Sequence, residues 1–404
     1  MRIAILGYGV EGKSAERFFK RLGCRTPKCK IEVRDIKLQG KHYLKNLDKF
    51  DTIIRSPGIP YLSPQIQKAR KQGVKITSAT KLFFRDAKGK IIGITGTKGK
   101  GTTATLLYKI LKAAEKNVYL AGNIGVPMLD ILSKLKKNSI TILELSSFQL
   151  QDLDCPPEIA IITDISPDHL DHHKSFKEYL VAKAQIVKNQ NSERGEVFFF
   201  SDNKYSKFIA QKSRGKKIAV SPDQNLILKI PGFHNLKNAS MAAAVGRIFG
   251  VNENIIKKTI SQFKGLPHRL EFIRRIRGAK YYNDSASTNP AATIAALEAF
   301  SEPKILIAGG AGKDLSYKPL AEAIKKSKMR AVILFGRDKY KIKQNIRAKI
   351  FVKLVDDLKS AVLLAKKLAR SGDVIIFSPA AASFDMFKNY ALRGEAFKKF
   401  VKAI

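Results

Sequence analysis

The stretch GITGTKGKGTT, from Gly93 to Thr103, decides how this sequence is read. It follows the apolar pair Ile91-Ile92 and leads into ATLLYKILKAA, residues 104–114, whose spacing predicts a helix. A glycine-rich turn between a strand and a helix N-terminus holds phosphate. Its backbone N–H groups point at the anion and the helix dipole favours negative charge. Lys100 is placed to reach β/γ-phosphates, and a following hydroxyl to hold Mg²⁺. The spacing departs from the ordinary Walker loop. Glycines stand at Gly93, Gly96 and Gly99, and Gly101 follows Lys100, so the hydroxyl moves to Thr102. The expected nucleotide contacts are Gly96, Thr97, Lys98, Gly99, Lys100, Gly101, Thr102 and Thr103.

A second such turn opens the chain. GYGVEG fits GxGxxG at Gly7, Gly9 and Gly12, and Asp35 ends the next strand-like run, near the usual distance for a ribose-binding acid. Alone this suggests a dinucleotide, but α/β domains use such turns for other phosphate ligands too.

Outward from these turns, short apolar runs alternate with helical patterns. The runs are RIAILG, KIEVRD, DTIIRSPG, KIIGIT, NVYLAG, ITILELS, IAIITDIS, KILIAGG, AVILFG and DVIIFSP. That alternation predicts an α/β protein with mainly parallel, doubly wound sheets. Ligands in such sheets sit at the carboxyl ends of strands. The 404 residues suggest three domains, at 1–88, 89–266 and 267–404. The outer two are expected to be Rossmann-like and the central one a P-loop ATPase.

Composition narrows the class. Hydrophobic residues make up 44%, enough for several cores. No apolar run is long enough to cross a bilayer, and MRIAILGYGVEG reads as a first strand, not a signal peptide. A cytoplasmic protein is expected, without membrane insertion. Cys24, Cys29 and Cys155 form no CxxC pair, which argues for reduced thiols. The net charge of +41 has two readings. A nucleic-acid binder would concentrate its cations in a patch or tail, whereas here Lys and Arg are spread along the chain. A solvated cationic surface that steers anionic substrates is favoured, with no specific nucleic-acid partner.

Other clusters fall at strand ends. LELSSFQL carries Glu144, a natural Mg²⁺ ligand beside a phosphate loop, or merely an exposed strand terminus. TDISPDHLDHH carries His169, His172 and His173, but adjacent His172 and His173 cannot easily both aim at one ion. FSPAAASFDMFKNYALRGEAF reads as a strand, small residues that let backbone approach a ligand, then a helix with Phe384 and Phe387 near its start.

In combination these motifs resemble the Mur ligases of peptidoglycan synthesis, through essentially the whole chain. The matching pieces are GYGVEG, RSPGIP, GITGTKGKGTT, AGNIGVP, LELSSFQL, SPDHLDHH, PGFHNLKNAS, LPHRLEF, NDSASTNPAA, AGGAGKD and SPAAASFDMFKNYALRGEAF. LELSSFQL, LPHR and the SFDMFKNYALRG segment point to the branch that adds D-glutamate. The resemblance implies UDP-N-acetylmuramoyl-L-alanine and D-glutamate as substrates, ATP and two Mg²⁺ ions as cofactors, and a monomer. It assigns GYGVEG to a UDP-linked substrate, with contacts from Gly9, Asp35, Ser56, Gly58, Asn123 and Ser146. It implies metal ligation by Thr102, Glu144, His169 and a carbamylated Lys183, with Lys100, Lys183, His169 and Glu144 as the catalytic set. Lys183 by itself looks like a surface helix lysine. Asn235 and Asn238 would contact adenine, Arg269 the phosphates, and Asp284 and Thr288 the nucleotide–glutamate junction. Lys313, Ser383 and Phe387 would contact glutamate.

Two departures stand out. The phosphate loop looks more like that of folylpolyglutamate synthase, a sister family that also adds glutamate through an acyl phosphate. LELSSFQL and SPAAASFD disfavour that alternative. Second, Ala286 stands in a segment where the family usually has a lysine.

Overall fold

A computed structural model describes residues 1–24, 29–169, 172–312 and 315–404. Three sheets follow one another along the chain. The first holds Arg2–Leu6 (β1), Lys30–Arg34 (β2), Thr52–Arg55 (β3) and Lys75–Ser78 (β4), in the order β2-β1-β3-β4 with every pair parallel. The second holds Lys90–Thr95 (β5), Val118–Gly122 (β6), Ile140–Glu144 (β7), Ile159–Ile162 (β8), Glu196–Phe200 (β9) and Lys216–Val220 (β10). It is ordered β10-β9-β8-β5-β7-β6 and is parallel throughout. The third holds Glu271–Ile276 (β11), Ala279–Asn283 (β12), Lys304–Gly309 (β13), Met329–Phe335 (β14), Phe351–Leu354 (β15) and Val374–Phe377 (β16). Its order is β11-β12-β16-β13-β14-β15, with the single antiparallel pair β11–β12 at one edge.

All ten expected runs are strands. The others, β4, β9, β10, β11, β12 and β15, escape the sequence reading because most are short or carry alternating charges, as in KKIAV and EFIRRI. The β11–β12 hairpin turns at Arg277 and Gly278, both at positive φ (47° and 82°), the requirement of a type I′ turn.

The strand order reverses beside β1 in the first sheet and beside β5 in the second. Chains leaving such strands open a crevice at their carboxyl ends. The glycine turn follows β1 and the phosphate loop follows β5, so both lie where this topology places ligands. The helix after β5, Lys100–Ala113, buries Thr103, Ala104, Leu106, Leu107, Ile110 and Leu111. This three-and-four spacing is the stripe a helix needs to lie on a sheet. Cutting Leu107 to alanine would cost about 2–5 kcal/mol.

The described residues form two compact units: Met1–Leu226 with Lys237–Ile260, and Ile227–Leu236 with Ser261–Ile404. The first and second sheets share the first unit and one apolar cluster, running from Ile3, Ile5 and Phe83 to Leu129, Leu143 and Ile162. Polar ties join them as well. Ser14 and Arg17 on the helix Val10–Arg21 both bond Asp130, at 2.8 and 2.6 Å. The second unit has its own layers around β12–β16, including Leu306, Val332 and Ile376 on one side and Ile307, Ile333 and Phe377 on the other.

One expectation fails here. Cys24 and Cys29 form a disulfide, with Cα atoms 5.0 Å apart, while Cys155 is free. Spacing alone misled: a gap of five residues is no CxxC, yet Cys24 beyond the first helix and Cys29 before β2 lie close enough to bond.

Candidate active site

The phosphate loop is built on backbone geometry. Gly99 sits at φ 89° and caps the helix that begins at Lys100. A side chain at Gly99 would collide with the amide of Asn238, so glycine is required on two counts. Asn238 is buried and its Oδ1 accepts from the Thr103 hydroxyl at 3.4 Å. The loop is strapped from the other side by the segment after β8. The Asp164 carbonyl accepts from Thr97 N–H (2.7 Å) and Lys98 N–H (3.1 Å), and the Thr163 hydroxyl donates to the Lys98 carbonyl (2.7 Å). The helix's first-turn N–H groups lack intrahelical acceptors, as at any helix start. The Lys100 ammonium donates to the Gly96 and Thr97 carbonyls, at 2.9 and 3.1 Å, so its charge hangs over the loop.

Beneath the loop lies Lys183, only 1% exposed. The surface lysine that its local sequence suggested is wrong. Its helix, Phe176–Ala184, is capped by Ser175 and packs so that Tyr179 and Lys183, one turn apart, both point inward. Lys183 Nζ donates to the Gly96 carbonyl (2.8 Å) and lies 3.4 Å from Thr95 Oγ1 and 4.6 Å from the Tyr179 ring centre. Burial, followed by the repulsion of Lys100, drives its amine well below the ordinary lysine range; the charges of Asp168 and Glu144 oppose this in part. The Tyr179 hydroxyl is 2.8 Å from Thr97 Oγ1. Tyr179, Thr163 and Asp164 escaped the sequence reading, although the last two end an apolar strand, the expected place for site residues.

Glu144 ends β7, paired in register with Ile94 of β5, which places it beside the phosphate loop. It is buried and accepts from Asn123 Nδ2 at 2.9 Å, so it is no exposed strand terminus. His169 has a positive φ of 54° and packs its ring 5.3 Å from Phe148, with Asp168 3.7 Å away. His173 serves the core instead. It is buried, stacks on Phe148 and lies 3.0 Å from Ser147 Oγ and 3.3 Å from Glu178. Burial lowers its pKa despite Glu178. Among the described residues no three His, Cys, Asp or Glu side chains gather as a metal cluster. A carboxylate, a threonine hydroxyl and phosphate oxygens would nonetheless suit Mg²⁺, which takes few protein ligands.

At the first turn, Gly9 caps the helix Val10–Arg21. The Asp35 carboxylate accepts from Tyr8 N–H (2.6 Å) and Lys37 N–H (2.8 Å), and these two bonds hold it below the usual carboxylate range. Ser56 bonds the Gly7 carbonyl at 2.8 Å, which brings the SPG turn with Gly58 against the glycine turn. Ser146 caps the short helix Ser147–Leu150 in a capping box with Gln149.

In the second unit, Asp284 follows β12 and is buried. It accepts from Ser287 Oγ (2.5 Å), Ser378 Oγ (2.7 Å) and Leu270 N–H (3.2 Å). Burial outweighs these donors and pushes its carboxyl up to about 6. Thr288 N–H bonds the Ala286 carbonyl and Arg269 is exposed. Asn235 is buried and bonds the Pro231 carbonyl at 2.6 Å. Ser383 is buried, its carbonyl accepting from Phe387 N–H at 2.8 Å. The helix expected at SFDMFK is absent: residues 383–388 form turns, and the helix runs from Tyr390 to Lys402 with Asn389 as its cap. Asn389 supplies the side-chain acceptor that a helix start needs, at Leu392 N–H. Lys313 lies outside the described residues. The reading also missed Arg393. This buried guanidinium donates to the carbonyls of Ala381, Ala382 and Ser285 and to Ser285 Oγ, between 3.0 and 3.1 Å. It pins the SPAAAS and NDSAST loops together.

A three-sheet α/β chain with a lysine-bearing phosphate loop at a switch point is an enzyme scaffold for nucleotide chemistry, and comparison defines which. Residues 94–225 match the Mur ligase middle domain and residues 268–381 the Mur ligase, glutamate ligase domain. The chain belongs to the Mur ligase family of ATP-dependent ligases. It is 36% identical over 452 aligned positions to the UDP-N-acetylmuramoylalanine–D-glutamate ligase of Acetivibrio thermocellus, spanning 100% of this chain and 96% of that one. In fold it is similar to the UDP-N-acetylmuramate–alanine ligase MurC of Thermotoga maritima, with a TM-score of 0.63, 17% identity, and 100% and 99% of the two chains covered. It is also similar to the MurF ligase of Thermotoga maritima in complex with ADP, with a TM-score of 0.62, 19% identity, and 88% and 90% covered. No helix among the described residues is long and apolar enough to cross a membrane.

Proposed function

We propose that this chain joins D-glutamate to UDP-N-acetylmuramoyl-L-alanine at the expense of ATP, with the chemistry centred on the loop Gly96–Thr103. The observation that carries the reading is the 36% identity to a D-glutamate ligase over the whole chain, with Lys100 and Lys183 both donating to the Gly96 carbonyl. A carboxylate is a poor electrophile. Its oxygen therefore attacks the γ-phosphorus, ADP leaves, and an acyl phosphate forms. The glutamate amine then attacks the acyl carbon, loses a proton, and the tetrahedral intermediate expels phosphate. Each species is anionic, so positioning and charge neutralisation dominate.

Lys100 supplies charge at the transferred phosphoryl group. Mg²⁺, when bound, would neutralise phosphate oxygens and polarise the phosphorus; Thr102, Glu144 and His169 are the residues we assign to hold it. Lys183 is assigned as a carbamate. Burial lowers the Lys183 pKa, which raises the share of neutral amine that can attack CO₂, and the product offers oxygen where Mg²⁺ prefers it. The glycine turn with Asp35, Ser56, Gly58, Asn123 and Ser146 would take the uridine diphosphate sugar. Asn235, Asn238, Arg269, Asp284 and Thr288 would serve the nucleotide, and Lys313, Ser383 and Phe387 the glutamate. Domains at 1–88, 89–266 and 267–404 divide these tasks. We assign the chain to the cytoplasm and to a monomer.

The test is phosphate release with UDP-N-acetylmuramoyl-L-alanine, ATP, Mg²⁺ and a panel of amino acids that includes both glutamate enantiomers. Turnover with D-glutamate alone supports the reading. Turnover only with a folate and L-glutamate would move the chain to the folylpolyglutamate synthase reading that its loop suggests.

A further inference from the structure

Arg55 directly precedes the SPG turn and is 1% exposed. Its Nη1 donates to the Ile59 carbonyl at 2.9 Å, which closes the turn Ser56–Ile59 on itself. Its Nη2 donates to the Phe148 carbonyl (2.8 Å) and to Asp152 Oδ1 (2.9 Å), both in the segment that continues from Glu144. Asp152 is as deeply buried, its side chain 3% exposed. A second tie runs beside the first: Gln149 Nε2 donates to Glu11 Oε1 of the GYGVEG turn at 2.6 Å. The Ser56 hydroxyl on the Gly7 carbonyl completes a ring of contacts. Three segments are thus locked: the glycine turn after β1, the SPG turn after β3, and the residues after β7.

This ring is poorly built for stability alone. Arg55 Nε, Asp152 Oδ2 and Glu11 Oε2 are buried, with no hydrogen-bond partner among the described residues. A buried ion pair gains little over apolar packing, and orphaned polar atoms subtract from it. What the guanidinium offers is geometry, since one planar fork reaches two separate loops at once.

We propose that Arg55, paired with Asp152, is a positioning residue that holds the uridine-nucleotide turns in register with the strand end carrying Glu144. This rests on the ligase reading above. Arg55 touches no reacting atom; it fixes how far the sugar nucleotide's carboxylate stands from the phosphoryl donor.

The experiment uses the full chain and compares Arg55→Met, Arg55→Lys, Asp152→Asn and the double variant Arg55→Met/Asp152→Leu. The Michaelis constant for the uridine substrate should rise about tenfold or more in Arg55→Met, the loss expected for charge-assisted bonds, and kcat should fall with it. The constant for ATP and the affinity for ADP should stay within about twofold, because the phosphate loop is untouched. Arg55→Lys should rescue only in part, since an ammonium cannot span both loops. The double variant, free of a stranded carboxylate, should fold as well as the parent yet keep the kinetic defect. If Arg55→Met does not fold, the double variant and Asp152→Asn carry the test. Unchanged uridine-substrate kinetics in a folded variant overturns the proposal, as does an equal rise in both constants. Failure of the parent chain to turn over the uridine substrate would sink the ligase reading instead.

Discussion

Burial shifts the pKa of two charged side chains, one in each unit, in opposite directions. Beneath the phosphate loop, Lys183 has a carbonyl, a hydroxyl and an aromatic face for neighbours and, among the described residues, no carboxylate within bonding distance. Burial and the repulsion of Lys100 outweigh the more distant charges of Asp168 and Glu144, so the amine falls well below the ordinary lysine range. At the end of β12, Asp284 is also buried but receives two hydroxyls and an N–H. Its carboxyl rises only to about 6 and remains mainly ionised at neutral pH. Burial therefore favours the uncharged form at both residues, lowering the Lys183 amine and raising the Asp284 carboxyl, which its donors keep mainly ionised at neutral pH. Burial leads at both residues, and the local donors set how far Asp284 moves.

The largest expected effects break the first half of that contrast. Lys100→Ala should lower turnover about 100–1,000-fold, the scale for losing one preorganised electrostatic contact, while leaving thermal unfolding near that of the parent. Near-normal phosphate release would remove the loop assignment. Lys183→Ala should lose activity on a similar scale and regain part of it with acetate. The parent enzyme, and not the variant, should weaken in CO₂-depleted buffer. An unmodified amine in a magnesium-bound crystal structure of the active enzyme would end the carbamate reading.

Linkage gives the next largest effect, with opposite signs at the two residues. Asp284 has a folded pKa raised from 3.8 to about 6, so the folded state holds the extra proton. That stabilisation is complete below pH 3.8 and is lost as pH rises through about 6. It amounts to about 3 kcal/mol at most, at 1.36 kcal/mol per unit. Asp284→Asn should flatten this part of a denaturation series. Lys183 is lowered, so in CO₂-free buffer stability should climb as pH rises from its folded pKa toward 10.5, a slope that Lys183→Met removes. A parent curve with neither slope would refute the contrast.

Much of this was legible in the sequence, and the rest was lost for identifiable reasons. The alternating apolar runs announce parallel sheets because each buried strand must read as a continuous apolar block. Glu144 and the phosphate loop follow from the rule that ligands meet strand ends. The burial of Lys183 was invisible because a helix of nine residues, FKEYLVAKA, shows almost no amphipathic bias, and tertiary packing alone turns that lysine inward. Arg55 and Arg393 were passed over because their partners are mostly carbonyls, which carry no sequence signal. SFDMFK reads as helix by propensity, but Asn389 is the stronger start signal and places the first turn after it.

The smallest effect tests the second unit where its chemistry is least certain from composition, at Ser383. The residue ends the run SPAAAS, whose backbone is held rigidly. Ala382 pairs with Ala311 through two hydrogen bonds of 2.9 Å, and Arg393 holds the Ala381 and Ala382 carbonyls. A hydroxyl on so fixed a loop can meet a ligand carboxylate without further ordering, which is what makes one bond count. Glutamate must present a neutral amine to the acyl phosphate, so its selection falls to its two carboxylates. Ser383→Ala deletes one contact to one of them and should raise the Michaelis constant for D-glutamate about tenfold, the scale of a single charge-assisted bond. The constants for ATP and the uridine substrate should move much less, and stability should hold because the carbonyl that accepts from Phe387 is untouched. A variant with weakened ATP binding and unchanged glutamate dependence would place the amino-acid site elsewhere in the unit.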